Sequence, residues 1–256
     1  MSWAGRKRAA VVIVIGAIII AALAIFGFSL FYETPTCFDR KQNQGEVGVD
    51  CGGSCSTLCS SQVDASARVV FTRAFSPQPD RTDVIAYVEN PNADAQAKDA
   101  PFSLELYGTE GQPLARITLT LDLPPSSTVP IYVADVASRG VVVARAFLTP
   151  ENAVGMWSRA GEQLPNPEVT EIKVTEGDRP RVTATLRNPL AVARYDLTYV
   201  ATIFDATGTA IAASQTLIPR LPSQGTAPLV FTWKASFFAP VAKVEVLPVP
   251  SLPSAR

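Results

Sequence analysis

The chain of 256 residues contains no histidine. Histidine supplies the general base of Ser-His-Asp and Cys-His enzymes and is the commonest neutral metal ligand, so its absence excludes those arrangements. Phosphate-binding loops, the GxGxxG dinucleotide motif, GxSxG nucleophile elbows and SxxK pairs are missing as well. We therefore assign no catalytic residues and no organic cofactor, and we predict that the protein is not an enzyme.

The sequence also lacks a strong net charge, because 22 basic side chains face 23 acidic ones. The first 32 residues contain three charges, all basic, so the rest of the chain carries 19 basic and 23 acidic groups, or a net charge of −4. A surface of that sign repels phosphate on average, and we expect no nucleic-acid partner.

A run of 23 residues without a charge follows the N-terminus, AAVVIVIGAIIIAALAIFGFSLF. As a helix it is about 35 Å long, which is enough to cross the hydrocarbon core of a bilayer. The apolar region of a cleaved signal peptide has only about 7–15 residues and ends in a small-residue cleavage site, which this run lacks. The pattern predicts an uncleaved transmembrane signal anchor over residues 9–32, after a basic N-terminus of residues 1–8.

The charges that flank this run predict its orientation. Arg6, Lys7 and Arg8 precede the run, whereas Glu33 follows it. Because basic flanks stay on the cytoplasmic side, we expect a single-pass protein of the cell membrane with its N-terminus inside. The bulk of the chain is then extracytoplasmic.

Cysteine is confined to one segment of 23 residues, which holds Cys37, Cys51, Cys55 and Cys59. Outside the cytoplasm, an even number of closely spaced cysteines favours disulfides, and a short segment with few apolar residues needs such cross-links to fold. Two bridges are expected in a module of residues 33–60, and three pairings are open. The alternative is a four-thiolate zinc site, which becomes the leading interpretation if the segment lies in a reducing compartment.

Four oxygen-bearing side chains lie between the cysteines in a glycine-rich loop: Asp39, Asn43, Glu46 and Asp50. Such ligands suit a hard cation, and Ca2+ is the candidate. The alternative is that these side chains cap turns, as Asp and Asn commonly do, because their spacing does not match the EF-hand loop.

The cysteine segment resembles a C-x-D-G-x-x-N-x-x-E-x-G-x-D-C-G-G-x-C module of secreted and surface bacterial proteins. Arg40 replaces the glycine that follows the aspartate in that module. The resemblance implies an extracytoplasmic setting. The matching residues are Cys37, Asp39, Asn43, Glu46, Gly48, Asp50, Cys51, Gly52, Gly53 and Cys55.

After a polar linker, Ser56 to Ala67, the remaining chain repeats itself at a spacing of about 98 residues. VIAYVENP (84–91) aligns with VTATLRNP (182–189), LYGTEG (106–111) with IFDATG (203–208), and LPPSSTVP (123–130) with LPSQGTAP (221–228). In the first block Val84, Ala86 and Val88 alternate with Ile85 and Tyr87, as in a β-strand, and a proline then ends the strand.

Short alternating strands separated by Pro, Gly, Asn and Asp every 8–12 residues indicate a mainly β fold. We predict two tandem immunoglobulin-like β-sandwiches of roughly seven strands each. They cover residues 68–157 and 168–250, with a linker at 158–167 and an extended tail at 251–256.

The two units resemble bacterial FxLYD domains and plant late-embryogenesis-abundant type 2 domains. They share an Asn-Pro pair, an LYD-x-x-G hairpin and an L-x-P-G turn with those families. Leu104 and Ala201 stand where the families have phenylalanine, and Gly108 replaces the hairpin aspartate that Asp205 retains. Taken whole, the chain is similar to a family of bacterial single-pass envelope proteins.

The segment VFTWKASFFAP contains the best candidates for a partner contact: Trp233, Phe237 and Phe238. Adjacent strand residues point to opposite faces, so one phenylalanine belongs in the core and the other is a candidate for exposure, but we expect both to lie in the core. We expect a membrane-anchored binding or structural protein of the bacterial cell envelope whose sandwiches contact an extracytoplasmic protein or polymer. The alternative is an accessory subunit of a membrane-embedded envelope or secretion complex, with the sandwiches as spacers.

Overall fold

The computed structural model describes residues 3–31, 35–63, 66–78, 80–151 and 157–252. It divides into two compact units, Met1–Cys55 and Ser56–Arg256, which are treated separately below. The first contains one helix and most of the cysteine module. The second is built from β-strands.

Helix α1 spans Trp3–Phe31 and contains one stretch, Val12–Ser29, that is long and apolar enough to cross a membrane. None of this stretch is buried within the protein, which is compatible with a single membrane span. The backbone of Arg6, Lys7 and Arg8 belongs to the same helix. Residues 32–34, the far end of the span expected from the sequence, lie outside the described residues.

The second unit contains thirteen strands among its described residues. Those of the first repeat are β1 (Arg68–Gln78), β2 (Arg81–Asn90), β3 (Ala95–Tyr107), β4 (Pro113–Leu123), β5 (Ser127–Val133), β6 (Arg145–Pro150) and β7 (Trp157–Arg159). Those of the second are β8 (Glu168–Thr175), β9 (Arg181–Arg187), β10 (Arg194–Phe204), β11 (Ala210–Leu221), β12 (Thr226–Thr232) and β13 (Lys243–Val249).

The two repeats have the same sheet topology. The first has sheets ordered β1-β2-β5 and β4-β3-β6, and the second has sheets ordered β8-β9-β12 and β11-β10-β13. All pairings between neighbouring strands are antiparallel, and β7 adds a short pairing to β3. The mainly β fold with two sandwich-like repeats agrees with the sequence prediction.

Each repeat encloses a hydrophobic core between its two sheets. In the first, Val84 and Val88 of β2 share a core with Phe102, Leu104 and Leu106 of β3. In the second, residues at matching positions do the same: Val182, Leu186, Tyr199, Ala201 and Ile203.

A third core joins the two repeats face to face. Phe75, Ile85 and Tyr87 on sheet β1-β2-β5 pack against Val200 and Phe204 on sheet β11-β10-β13. Strand β2 is therefore buried on both faces, and the four sheets form one stack. We call this third core the junction.

Local geometry repeats along with the topology. Asp99 and Asp196, in matching strands, both have φ of +50°, and Ser126 and Gln224, in matching turns, have φ of +46° and +50°. These left-handed conformations are uncommon for residues other than glycine, so their recurrence supports a true structural repeat.

The asparagine of each Asn-Pro pair is buried and ties two loops to the end of a strand. Asn90 Nδ2 donates to the carbonyl oxygens of Ala95 and Pro124, both at 2.8 Å. Asn188 Nδ2 donates to the carbonyl oxygens at the corresponding positions, Val192 at 2.8 Å and Pro222 at 2.9 Å. The repeated pair thus satisfies buried backbone groups, which accounts for its recurrence.

Two segments, predicted as a polar linker and an extended tail, are attached to the first repeat. In the linker, Leu58 N–H donates to Trp157 O at 2.9 Å, and Arg159 N–H donates to Ser56 O at 2.8 Å. In the tail, Leu252 is 5% exposed and its N–H donates to Asp122 Oδ2 at 2.6 Å. We call this tail contact the C-terminal latch; residues 253–256 lie outside the described residues.

Candidate functional site

The four cysteines of the module are all oxidised. Cys37 is bonded to Cys55, and Cys51 and Cys59 are the other two disulfide-bonded cysteines. The prediction of disulfides is confirmed, and the pairing that the sequence left open is now assigned. A four-thiolate zinc site needs free thiolates, which this oxidised module does not offer.

Two of the predicted calcium ligands accept hydrogen bonds from the backbone of the loop. Asp50 accepts from Arg40 N–H with both carboxyl oxygens at 3.0 Å. Asp39 accepts from Lys41 N–H at 2.8 Å and from Asn43 Nδ2 at 2.8 Å. The Asn43 bond, together with two backbone amides, holds the pKa of the Asp39 carboxyl below its ordinary value.

Glu46 is the buried member of the set, with 7% of its surface exposed. Its Oε2 accepts from the backbone N–H groups of Asn43 at 3.1 Å and Asp50 at 3.3 Å. Its Oε1 lies 3.1 Å from Sγ of Cys55. The carboxylate thus lies between the loop backbone and the disulfide.

The described carboxylates therefore cap turns, and they do not converge on a common position for a cation. Among the described histidine, cysteine, aspartate and glutamate side chains, the only group of three whose ligand atoms lie within 4.8 Å of one another is Cys37, Glu46 and Cys55. Two of those three atoms are disulfide sulfurs, which are poor metal ligands. Calcium binding at Asp39, Asn43, Glu46 and Asp50 stays a prediction.

The loop backbone explains two sequence features of the module. Arg40, at the position where the related module has glycine, has φ of +61°, a conformation that glycine adopts without strain. Gly53 has φ of +58°, and a Cβ placed there would lie 2.1 Å from the carbonyl oxygen of Gly45. Only glycine fits at position 53 in this fold.

The aromatic residues predicted as a partner contact occupy different environments. Trp233 is buried and its Nε1–H donates to Ala213 O at 3.1 Å. Phe237 packs against it with ring centroids 5.1 Å apart and in a T-shaped geometry. Phe238 is 69% exposed, so the expectation that both phenylalanines lie in the core is wrong for this residue. All three follow β12 in an irregular segment, residues 233–242. The alternation of faces along a strand is therefore not the cause of their different burial.

An open cleft of about 380 Å³ lies at one end of the junction. Its floor consists of Phe71, Tyr87 and Phe204, whose ring centroids lie 4.7–6.3 Å apart. At its rim Lys243 pairs with Glu245, and its Nζ lies 5.8 Å from the centre of the Phe204 ring. Burial raises the pKa of the Tyr87 hydroxyl, so Tyr87 is neutral in the physiological range.

This cleft was not predicted from the sequence. The available signal was that β2 is apolar on both faces, which predicts burial on both faces.

No protein-family model matches the chain, and no curated protein matches it. Function must therefore be argued from the chemistry of the residues themselves. The described structure offers three features for that argument: an apolar helix, an oxidised module, and two sandwiches that share a core and carry an exposed phenylalanine.

Proposed function

We propose that this protein is a membrane-anchored extracytoplasmic structural or binding protein of the bacterial cell envelope. Helix α1 serves as the anchor and the two sandwiches present the contact surfaces for a protein or polymer partner. The supporting observations are the uniformly apolar stretch Val12–Ser29 and the fully oxidised cysteines, since disulfides persist in oxidising compartments.

The junction is the observation that carries the mechanical part of this proposal. Two sandwiches joined only by a linker would move independently, whereas a shared core restrains them. The junction buries Ile85 completely and Tyr87 to 95%, and the C-terminal latch adds a second attachment between the repeats. A stiff body of this kind holds its end loops at fixed positions.

The segment 233–242 is the contact surface that we favour. Phe238 lies on it with 69% of its surface exposed, while its neighbours Trp233 and Phe237 pack in the core and hold the segment in place. Aromatic side chains, phenylalanine among them, are enriched in protein interfaces relative to the rest of the surface. An apolar pocket on a partner protein would receive it.

The alternative function, an accessory subunit of a membrane complex, needs helix-helix contacts within the bilayer. Such contacts usually use small or polar residues along one face of the helix. In Val12–Ser29 the polar side chain of Ser29 donates to Phe26 O of its own helix at 2.8 Å. The same stretch carries two small residues four positions apart, Ala17 and Ala21, so the complex subunit remains the second candidate function.

The anchor and its orientation are tested together by labelling intact cells with a membrane-impermeant maleimide. We expect Ser223→Cys, in an exposed turn, to be labelled directly, and the matched variant Ser2→Cys to be labelled only after permeabilisation. The opposite pattern would place the sandwiches in the cytoplasm and end this proposal.

The contact surface is tested by placing a photo-crosslinking phenylalanine analogue at position 238 in the full chain. Position 164, where Leu164 is 57% exposed in the segment between the repeats, provides the control. We expect a discrete crosslinked product from position 238 and none from position 164. Equal crosslinking at both positions would remove Phe238 from the proposal.

A further inference from the structure

The Cys37–Cys55 disulfide has a negatively charged carboxylate beside its buried sulfur. Glu46 Oε1 lies 3.1 Å from Sγ of Cys55, which is 1% exposed. Because Cys55 is bonded to Cys37, this sulfur has no proton, and the contact is not a hydrogen bond. Among the described contacts of the module, Oε1 therefore has no hydrogen-bond donor.

Turn capping does not require this arrangement. Both backbone N–H groups that Glu46 caps donate to the same oxygen, Oε2. A glutamine at position 46 could cap them equally well through its single carbonyl oxygen. Asp39 and Asp50 cap their own turns without any described contact to a sulfur. The negative charge of Oε1 beside the disulfide is a separate feature.

We propose that Glu46 protects the Cys37–Cys55 disulfide from cleavage by thiols. In that reaction an external thiolate attacks Sγ of Cys37, and the electron pair of the broken S–S bond leaves on Sγ of Cys55. The products are a mixed disulfide at Cys37 and a Cys55 thiolate. A second external thiolate then attacks the outer sulfur of the mixed disulfide, which releases an external disulfide and a Cys37 thiolate.

The first of these steps creates a thiolate beside a carboxylate, so that two negative charges become neighbours. The Cys55 thiolate would form about 3 Å from the Glu46 carboxylate in a buried site, where like charges repel far more strongly than in water. Thiol exchange slows when the leaving sulfur is a poorer leaving group. Attack at Cys55 itself is hindered as well, because that sulfur is buried and the carboxylate repels an incoming anion.

The test compares the reduction rates of individual cysteines in the full chain in detergent micelles. Wild type, Glu46→Gln and the control Asp39→Asn are treated with dithiothreitol, quenched by alkylation at intervals and mapped by mass spectrometry. Each variant removes one negative charge from the module, but only Glu46 touches the disulfide.

We expect Glu46→Gln to accelerate alkylation of Cys37 and Cys55 on the order of tenfold, with Cys51 and Cys59 unchanged. Asp39→Asn should leave all four rates as in wild type. Equal rates for Cys37 and Cys55 in wild type and Glu46→Gln would overturn the proposal. Equal acceleration of all four cysteines would also overturn it, because that result indicates general loosening of the module.

A second measurement uses only the wild-type chain and so does not depend on the folding of a variant. Reduction by the cationic thiol cysteamine is compared with reduction by the anionic thiol mercaptoethanesulfonate at constant ionic strength. We expect the ratio of the two rates to be larger for Cys37 and Cys55 than for Cys51 and Cys59. Identical ratios for the two sets of cysteines would contradict a charge that acts at one bridge.

Discussion

Strands β2 and β9 occupy the same position in the two repeats but have different outer faces. The inner faces match, with Val84, Ala86 and Val88 in β2 and Val182, Ala184 and Leu186 in β9, all buried. The outer face of β2 carries Ile85 and Tyr87, which lie in the junction, whereas β9 carries Thr183 and Thr185. The same sheet therefore occurs as an internal layer in the first repeat and as an outer layer in the second. Two outward-facing residues on the central strand distinguish the two sheets.

The partner sheets show the same division. At the junction, β10 presents Val200 and Phe204, whereas the matching outer positions of β3 are Ser103 and Tyr107. Arg116 Nε donates to Ser103 Oγ at 2.6 Å across this free face. At these matching positions the faces that meet carry large aliphatic or aromatic side chains, whereas the free faces carry serine, threonine or tyrosine.

We expect the largest effect when β2 receives the outer face of β9. The double variant Ile85→Thr, Tyr87→Thr removes two large buried side chains from the junction, and we expect a loss of about 4 kcal/mol or more of unfolding free energy. The control is Thr183→Ala, Thr185→Ala on the free face, for which we expect at most about 0.5 kcal/mol per substitution. Urea unfolding of the full chain in micelles measures both. Equal losses would mean that the junction does not stabilise the pair.

The next effect concerns the latch, which exists on one repeat only. Asp122 holds the tail through Leu252 N–H, and the matching residue of the second repeat is Arg220, a cation. We expect Leu252→Ala to cost about 2–3 kcal/mol because the side chain is buried. Leu164→Ala, at an exposed leucine, should cost close to nothing. The same urea titration compares them, and similar midpoints for the two variants would refute a stabilising latch.

The fold class could be predicted from sequence because it depends on local periodicity. Alternation in 84–88 and 182–186, together with repeated Asn-Pro pairs and turns, is enough to indicate strands and a duplicated unit. The oxidised state of the cysteines could also be predicted, since it follows from their clustering and the expected compartment.

Contacts between residues distant in sequence could not be predicted in the same way. Asp122 and Leu252 are 130 positions apart, and neither residue type indicates a partner. The contact between Glu46 and the Cys55 sulfur likewise depends on the path of the loop, since Glu46 was read only as an oxygen ligand or turn cap. The junction is an intermediate case, because the apolar outer face of β2 was visible but its partner sheet was not.

The reverse exchange gives β9 the outer face of β2. Thr183→Ile, Thr185→Tyr exposes two large apolar side chains on a free sheet face, with little effect on unfolding free energy. We expect concentration-dependent self-association relative to wild type, because an exposed apolar sheet face favours stacking. Sedimentation velocity in micelles measures it, with Thr183→Ser, Thr185→Ser as the control. An unchanged sedimentation coefficient would show that these threonines do not limit stacking.

We expect the smallest effect on stability at the two matching hairpins, where Asp205 stands in one repeat and Gly108 in the other. Asp205 Oδ1 accepts from Thr207 Oγ1 at 2.7 Å and from the N–H groups of Thr207 and Thr209. These bonds lower the pKa of the Asp205 carboxyl below 3.8 in the folded state. The unfolded chain therefore binds the proton more readily, and the stabilisation by Asp205, fully present above pH 3.8, is lost as the pH falls through the folded pKa. We expect wild type to melt at a higher temperature than Asp205→Asn near neutral pH and the difference to shrink in acid; a difference that stays constant to pH 3 would contradict this role.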